Sequence, residues 1–489
     1  MPDQGFSFDN SYARALPGCY VRWPPERAPA PGLAFLNEGL AEELQLDVAA
    51  SDAADVFSGN ALPAGADPIA QVYAGHQFGH FSPQLGDGRA LLIGEVIDRH
   101  GRRRDIAFKG SGRTPFSRNG DGKAALGPML REVLMGEALH ALGIPTTRAL
   151  AVVTSGEHVF RDKPLPGAIL TRVADSHLRV GTFEYFAARG DHERVRRLAD
   201  YAIARHYPEI GATPSRYLDF LHAVVGRQAA LIARWMGIGF IHGVMNTDNM
   251  SIAGETIDYG PCAFIETFSP GAVFSSIDHA GRYAFGNQPG IAQWNLARLA
   301  ETLLPCLADD TQEALALAQH AVESFSDRYA QHWLAVMRRK LGLPQSTDHA
   351  ADTALAEDWL SLLNNHPADT TQAWRALADA AEGSTTTLHK LFGDDTILAP
   401  WLNRWQARWG GEDAHTRATG MRNTNPALIP RNHIVEEALT AATETGDLTL
   451  FNTLLAALRQ PFADAAEFAH WAEPAPAGFT ATYRTFCGT

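Results

Sequence analysis

The chain has 489 residues, 45% apolar and 20% charged, which is ordinary globular composition and long enough for two or three domains' worth of core; disordered and fibrous classes are excluded. A formal charge of −14 argues against bulk binding to nucleic acid, which needs a net basic face, but leaves room for a local basic pocket that holds a phosphate ligand.

The first 65 residues are rich in Pro, Ala and Gly and read as an irregular extension with one helix around Leu33–Leu44. Their start, MPDQGFSFDNSYARALPG, carries early acids and no apolar stretch of the kind a signal peptide needs. No run of about 18 apolar residues follows anywhere, so no membrane span is expected and a cytoplasmic location is. A Gly-punctuated stretch, YAGHQFGHFSPQLGDGR, precedes ALLIGEVID, which reads as a strand. RRRDIAFKG reads as a second strand, the two joined at His100-Gly101 as a hairpin. After a Gly/polar loop over Ser111–Gly127, PMLREVLMGEALHALGI has helical periodicity, with Pro128 at a plausible first helical position. TTRALAVVTSG and GAILTRVA return to strand. Beyond Val180, FEYFAARG, HERVRRLADYAIARHY and YLDFLHAVVGRQAALIARWMGIG read as helices, and from Trp294 the pattern is mostly helical. The expected fold is α+β: an N-terminal extension (1–65), a small mixed part with the Gly-rich loops (66–180), a helical part with a polar segment (181–310) and a helical C-terminal region (311–489).

Chemistry-bearing residues fall near the junction of the mixed and helical parts. Lys109 ends a strand and Glu132 lies in the next helix; a strand lysine held by a helix glutamate sets an ammonium against nucleotide phosphates, although the same two residues also read as a solvated lysine and glutamate. In HGVMNTDNMSIAGETIDYG, short strands at Met250–Ile252 and Thr256-Ile257 around a Gly254 turn would bring Asn249 close to Asp258. An amide oxygen and a carboxylate so placed suit Mg²⁺, and Asp248 beside them could accept a proton; the alternative is an Asn/Asp-rich pair of turns bonding its own backbone. His242, Asn249 and the DYG at Asp258–Gly260 keep the spacing of a protein-kinase catalytic loop, but Val244 stands where the kinase base would be. LGDGR (Leu85–Arg89) and KGSGRTPFSRNGDGKAALG, with Arg113, Arg118 and Lys123, could cradle phosphates or be two surface turns. Arg172 and Arg179 suit a triphosphate if they share a helix face, and are otherwise solvated arginines. Gly420–Leu439 reads as a polar loop that opens a helix and either contacts the site or, the reading preferred here, caps and packs the helical region.

Of the four cysteines, Cys19, Cys262, Cys306 and Cys487, none has CxxC spacing, so neither a zinc site nor a disulfide framework is expected and a reducing compartment fits. Cys262, near Asp258, and Cys487, in the tail, are either a regulatory disulfide pair or two unrelated thiols.

Taken in order, QVYAGHQFGHFSPQLGDGRALLIGE, DIAFKGSGRTPFSRNGDGKAALGPMLREVLMGEALHALGIPTTRAL, HGVMNTDNMSIAGETIDYGPCAF and MRNTNPALIPRNHIVEEAL resemble the selenoprotein O family. The resemblance implies a two-lobed, protein-kinase-like fold and a protein adenylyltransferase that holds ATP flipped relative to kinases, with Mg²⁺ or Mn²⁺. It would move AMP to Ser, Thr or Tyr hydroxyls of proteins and release pyrophosphate. On that resemblance Asp248 is the base, Asn249 and Asp258 are metal ligands, and Lys109, held by Glu132, joins Arg172 and Arg179 on the phosphates. Gly86, Gly88 and Arg89 match the family's nucleotide loop, and Asp121 and Gly122 a second nucleotide-contacting turn. Cys487 takes the place where some eukaryotic members carry selenocysteine. UMP transfer from UTP, a silent nucleotide-binding scaffold and ordinary phosphotransfer stand as alternatives. Nothing in the sequence demands more than a monomer.

Overall fold

A computed structural model describes residues 5–486 apart from positions 48, 50 and 394. The mixed part builds one antiparallel sheet, in the order Tyr20–Arg22, Ile69–Gln71, Ala90–Ile97, Arg103–Lys109, Pro164–Ala174, Arg148–Phe160, Gly32–Leu36, with the short strand Ala124–Ala125 added on Pro164–Ala174. The expected hairpin is present: Ile97 pairs with Arg103 and Ala90 with Lys109, so the lysine ends its strand beside the Gly-rich loop that feeds Ala90. Asp98 fixes the turn by accepting the backbone N–H groups of His100 and Arg102, both at 2.9 Å.

One face of the sheet buries Val96, Ile106, Leu150, Val153 and Val173 under Phe6, Leu40, Val56 and Phe57 from the extension. The other face receives the helix Leu126–Ala141. This helix is buried on almost every side from Leu126 to Leu139, because two C-terminal helices, Asn432–Glu444 and Thr449–Leu458, cover the surface that the sheet leaves open.

Three local expectations are corrected. The helix starts at Leu126, so Pro128 lies inside the first turn rather than at its first position; that turn's N–H groups have no helical partner, so the ring is tolerated. The segment Leu33–Leu44 is not one helix: Gly32–Leu36 is an edge strand paired with Arg148–Phe160, and the helix Glu38–Glu43 follows, its Asn37 cap accepting from Leu40 N. Residues 250–257 do not form a hairpin. Ser251 instead bridges to Arg179 and Thr256 to Thr146, tying this segment to the mixed part.

The helical part is built from Val180–Ala187, His192–His206, Arg216–Ile238, Gln288–Leu307 and Thr311–Lys340. It shares one continuous core with the sheet's inner face. A separate core lies between Val336 and Met421, where Trp359, Trp401 and Trp405 stack with ring centroids 4.7 and 5.6 Å apart. The Gly420–Leu439 segment packs, as expected. Arg431 is fully buried and gives Asp369 a two-point bond at 2.6 and 3.1 Å, while the Asn432 amide donates to Phe264 O at 2.8 Å. Among the described residues no helix is long and apolar enough to cross a membrane.

Candidate active site

A cleft of about 710 Å³ opens where the sheet, the helix Leu126–Ala141 and the irregular segment after Ile241 meet. Twelve of the residues singled out from the sequence line it: Gly86, Gly88, Arg89, Lys109, Asp121, Gly122, Glu132, Arg172, Arg179, Asp248, Asn249 and Asp258. Of the basic residues in the second Gly-rich loop, Arg118 and Lys123 reach the cleft, whereas Arg113 is not among its walls.

A compact charge cluster forms its floor. Lys109 pairs with Glu132, and its Nζ lies 2.6 Å from Asp258 Oδ1. Arg172 Nη1 donates to the same Oδ1 at 2.8 Å and lies 3.9 Å from Glu132. Burial alone would raise the Asp258 pKa, but Lys109, Arg172 and Arg179 outweigh it and hold the carboxyl well below the usual range. Asp258 sits at φ +65°, a conformation uncommon outside glycine. Its neighbours explain how it is kept there. His242 Nε2 donates to Ile257 O at 2.8 Å while its ring stacks on Trp235, and Tyr259 donates to Thr256 O at 2.7 Å. Arg172 and Arg179 do not share a helix face as the sequence suggested. Arg172 is on the strand Pro164–Ala174 and Arg179 caps the helix Val180–Ala187; the turn between them brings both to the cleft.

Asp248 lies in a single helical turn, Thr247–Asn249. Its Oδ2 accepts from Gln77 Nε2 at 3.3 Å; its Oδ1 is buried and has no hydrogen-bond partner among the described residues. Burial pushes its pKa up to about 7, with Arg179 opposing. A Cβ at Gly75 would sit 2.6 Å from Oδ1, so glycine is what allows the chain to pass this closely. Asn249 Nδ2 donates to Val244 O at 3.0 Å, which leaves its amide oxygen as the atom to face a cation. Both bonds to Asp258 fall on Oδ1, so Oδ2 is the second such atom. Two hard oxygen donors, one neutral and one anionic, fit a Mg²⁺ ion that takes its remaining ligands from phosphate and water.

The two Gly-rich loops are joined to each other. Thr114 Oγ1 donates to Asp87 O at 2.6 Å, and Ser117 Oγ donates to Gly88 O. Gly86, at φ +79°, is required because any Cβ would lie 2.5 Å from the Phe116 ring. Its place in the loop is thus set by loop-on-loop packing. Asp121 is held by Arg161, 2.8 Å away, a cleft residue that the sequence reading missed. Gln77, Asn246 and Tyr73 were missed as well. The first belongs to a small hairpin, Gly75–Gln77 with His80–Ser82, and this stretch bonds the segment around Asp248: His76 N donates to Thr247 Oγ1 at 2.7 Å and Phe78 N to Asn246 Oδ1 at 3.1 Å. The glycines around this hairpin mask its alternation, so only the HQFGHF spacing signalled it. Cys262 is buried, its thiol pushed up to about 12 by burial; Cys487, its suggested partner, lies outside the described residues.

Comparison with known proteins bears on this geometry. The family described as protein adenylyltransferase SelO matches residues 5–459. The chain belongs to that family. It is 60% identical to a protein nucleotidyltransferase YdiU of Cereibacter sphaeroides strain KD131, over 99% of this chain and 100% of the relative. It is 59% identical to the protein of that name from Chromobacterium violaceum, over 97% and 100%. Against the protein of that name from Rhizobium meliloti the identity is 54%, over 99% of each chain. Membership in the SelO family makes the chain an enzyme of the protein nucleotidyltransferase class.

Proposed function

We propose that this enzyme transfers AMP from ATP to Ser, Thr or Tyr hydroxyls of proteins and releases pyrophosphate. The observation that carries the reading is the pairing of a buried, half-unpartnered Asp248 carboxylate with three cations across one cleft. Asp248 accepts the proton of the acceptor hydroxyl, whose oxygen attacks the α-phosphorus. The bond from that phosphorus to the bridging oxygen breaks, and the leaving pyrophosphate's charge is taken up by Lys109, Arg172 and Arg179. Glu132 keeps Lys109 in place between these events. Asn249 and Asp258 would hold the Mg²⁺ or Mn²⁺ ion, which supplies further neutralisation of phosphate charge. Gly86, Gly88, Arg89, Asp121 and Gly122 would contact the nucleotide.

The same reading divides the chain into an extension (1–65), a kinase-like N-lobe (66–180), a C-lobe core with the catalytic segment (181–310) and a helical C-terminal region (311–489). The antiparallel sheet with its lysine–glutamate pair and the helical part beneath the cleft support that division. The same reading makes it a cytoplasmic enzyme acting as a monomer, and the acidic net charge supports the view that it does not bind nucleic acid.

ATP labelled separately on the α- and γ-phosphates, incubated with protein acceptors and Mg²⁺ or Mn²⁺, tests the proposal. Label entering protein from the α-position alone, and lost in Asp248→Asn, is expected. Label from the γ-position would mean kinase chemistry, label from neither would mean a nucleotide-binding scaffold, and preference for α-labelled UTP would mean uridylyl transfer.

A further inference from the structure

Between the strand that carries Arg172 and the helix capped by Arg179 lies a short turn, Asp175–Leu178, and its third residue touches both arginines. Arg172 Nε donates to His177 Nε2 at 3.2 Å. Arg179 Nε donates to the His177 carbonyl at 3.1 Å. The histidine is itself held twice by one carboxylate, since its Nδ1 and its backbone N–H lie 3.0 and 2.8 Å from Asp105 Oδ2. Asp105 Oδ1 accepts from Arg205 Nη2 at 2.6 Å. All of these side chains are buried.

We propose that His177 is a positioning residue, orienting Arg172 through its ring and Arg179 through its carbonyl so that both guanidiniums face the phosphate chain. The inference rests on the transferase reading for its consequence, but not for its geometry. An arginine loses up to about 2 kcal/mol of side-chain freedom when ordered, and a bond at Nε fixes the direction in which the two outer nitrogens point. In Arg172 one of them, Nη1, is turned to Asp258 and Glu132. The ring can accept this bond only while Nε2 carries a lone pair. With Nδ1–H directed at Asp105, that is the tautomer the geometry requires. Burial holds the His177 pKa down to about 4; Asp105 opposes and Arg172 assists, so the ring stays neutral at working pH. A lysine or a charged histidine here would instead repel Arg172.

Asparagine and glutamine separate the ring's two nitrogens. His177→Asn keeps an amide near the Nδ1 position for Asp105 but offers no acceptor to Arg172; His177→Gln places an amide oxygen near Nε2. Neither alters the carbonyl that holds Arg179. Binding of ATP and of AMP to each full-length variant, by titration calorimetry with Mg²⁺, gives a ratio that a general loss of folding would not change. His177→Asn should weaken ATP binding about tenfold and leave AMP binding as in wild type, with kcat for α-label transfer falling in parallel; His177→Gln should keep ATP binding within about twofold. In an Arg172→Ala background, where the ring has no guanidinium left to orient, adding His177→Asn should cost little more. Equal losses for ATP and AMP, no loss in His177→Asn, or a glutamine variant as impaired as the asparagine one would overturn the proposal. If His177→Asn does not fold, Asp105→Asn carries the same expectation from one bond further out. The expected ATP/AMP pattern in the variants, with no α-label transfer by the wild type, would leave the positioning role standing and remove the transferase reading.

Discussion

Asp258→Asn changes one charge in the cleft and leaves the shape. In the wild type Lys109, Arg172 and Arg179 face Glu132 and Asp258, one net positive charge; the variant has two. Lys109 keeps Glu132, but the nearest carboxylate left to Arg172 is 3.9 Å away. Removing one partner of a buried pair costs about 3–5 kcal/mol, and the 22% exposure of the Asp258 side chain puts the loss at the lower end, about 3 kcal/mol. Catalysis should suffer more. On the proposed reading, the metal site would be reduced to Asn249 and forfeit several kcal/mol of charge stabilisation, and about 4 kcal/mol is a thousandfold in rate. Binding of metal-free ATP should move the other way, being equal or tighter because the cleft has gained positive charge. Urea unfolding of the free protein, α-label transfer with Mg²⁺, and ATP titration in chelator measure the three effects separately. Transfer within tenfold of wild type, or weaker metal-free binding, would refute this account of the cluster.

Gly86→Val should displace the Phe116 ring, which stands 2.5 Å from the added carbon, and weaken nucleotide binding at least tenfold; Phe116→Ala in the same chain should restore part of it, as read by ATP titration. Lys340 is buried over the Trp374 ring at 4.4 Å, and burial brings its pKa down to about 7 from 10.5. The unfolded chain therefore binds the extra proton between those values, so this residue's penalty is full below pH 7 and fades as pH rises towards 10.5. Lys340→Met should be more stable than wild type by a few kcal/mol at pH 6.5, the difference narrowing by pH 9.5 in parallel denaturant curves. Arg431→Met strands the Asp369 carboxylate and should cost about 3–5 kcal/mol of stability while leaving ATP affinity unchanged.

How much of this was legible depended on range. Hairpin and helix around Lys109 and Glu132 announce themselves because alternation and the helical period are local signals, and their pairing follows from adjacency in the chain. Arg172 and Arg179 both line the cleft, but by a geometry other than the helix face the sequence suggested: a strand and a helix cap converge through a turn that no periodicity encodes. The strand at Gly32–Leu36 was hidden for a related reason. Five residues fit a strand or a helix equally, and only pairing with Val152 and Val153, more than a hundred positions away, decides between them. Gln77 and Arg161 were invisible because each reaches the cleft through a partner distant in sequence, Asp248 and Asp121.

The helix bearing Glu132 has a consequence for synthesis. Its outer surface is closed by Asn432–Glu444 and Thr449–Leu458, and Arg131–Glu436 and Glu137–Arg459 ion pairs fasten it there. The sheet has left the ribosome by Ala174, yet its central helix must wait for roughly 285 more residues, some 15–60 s at ordinary elongation rates. Until then the glutamate that steadies Lys109 is on an uncovered apolar helix. A nascent or prematurely terminated chain should therefore be both inactive and sticky, with chaperones rather than ATP as its first companions.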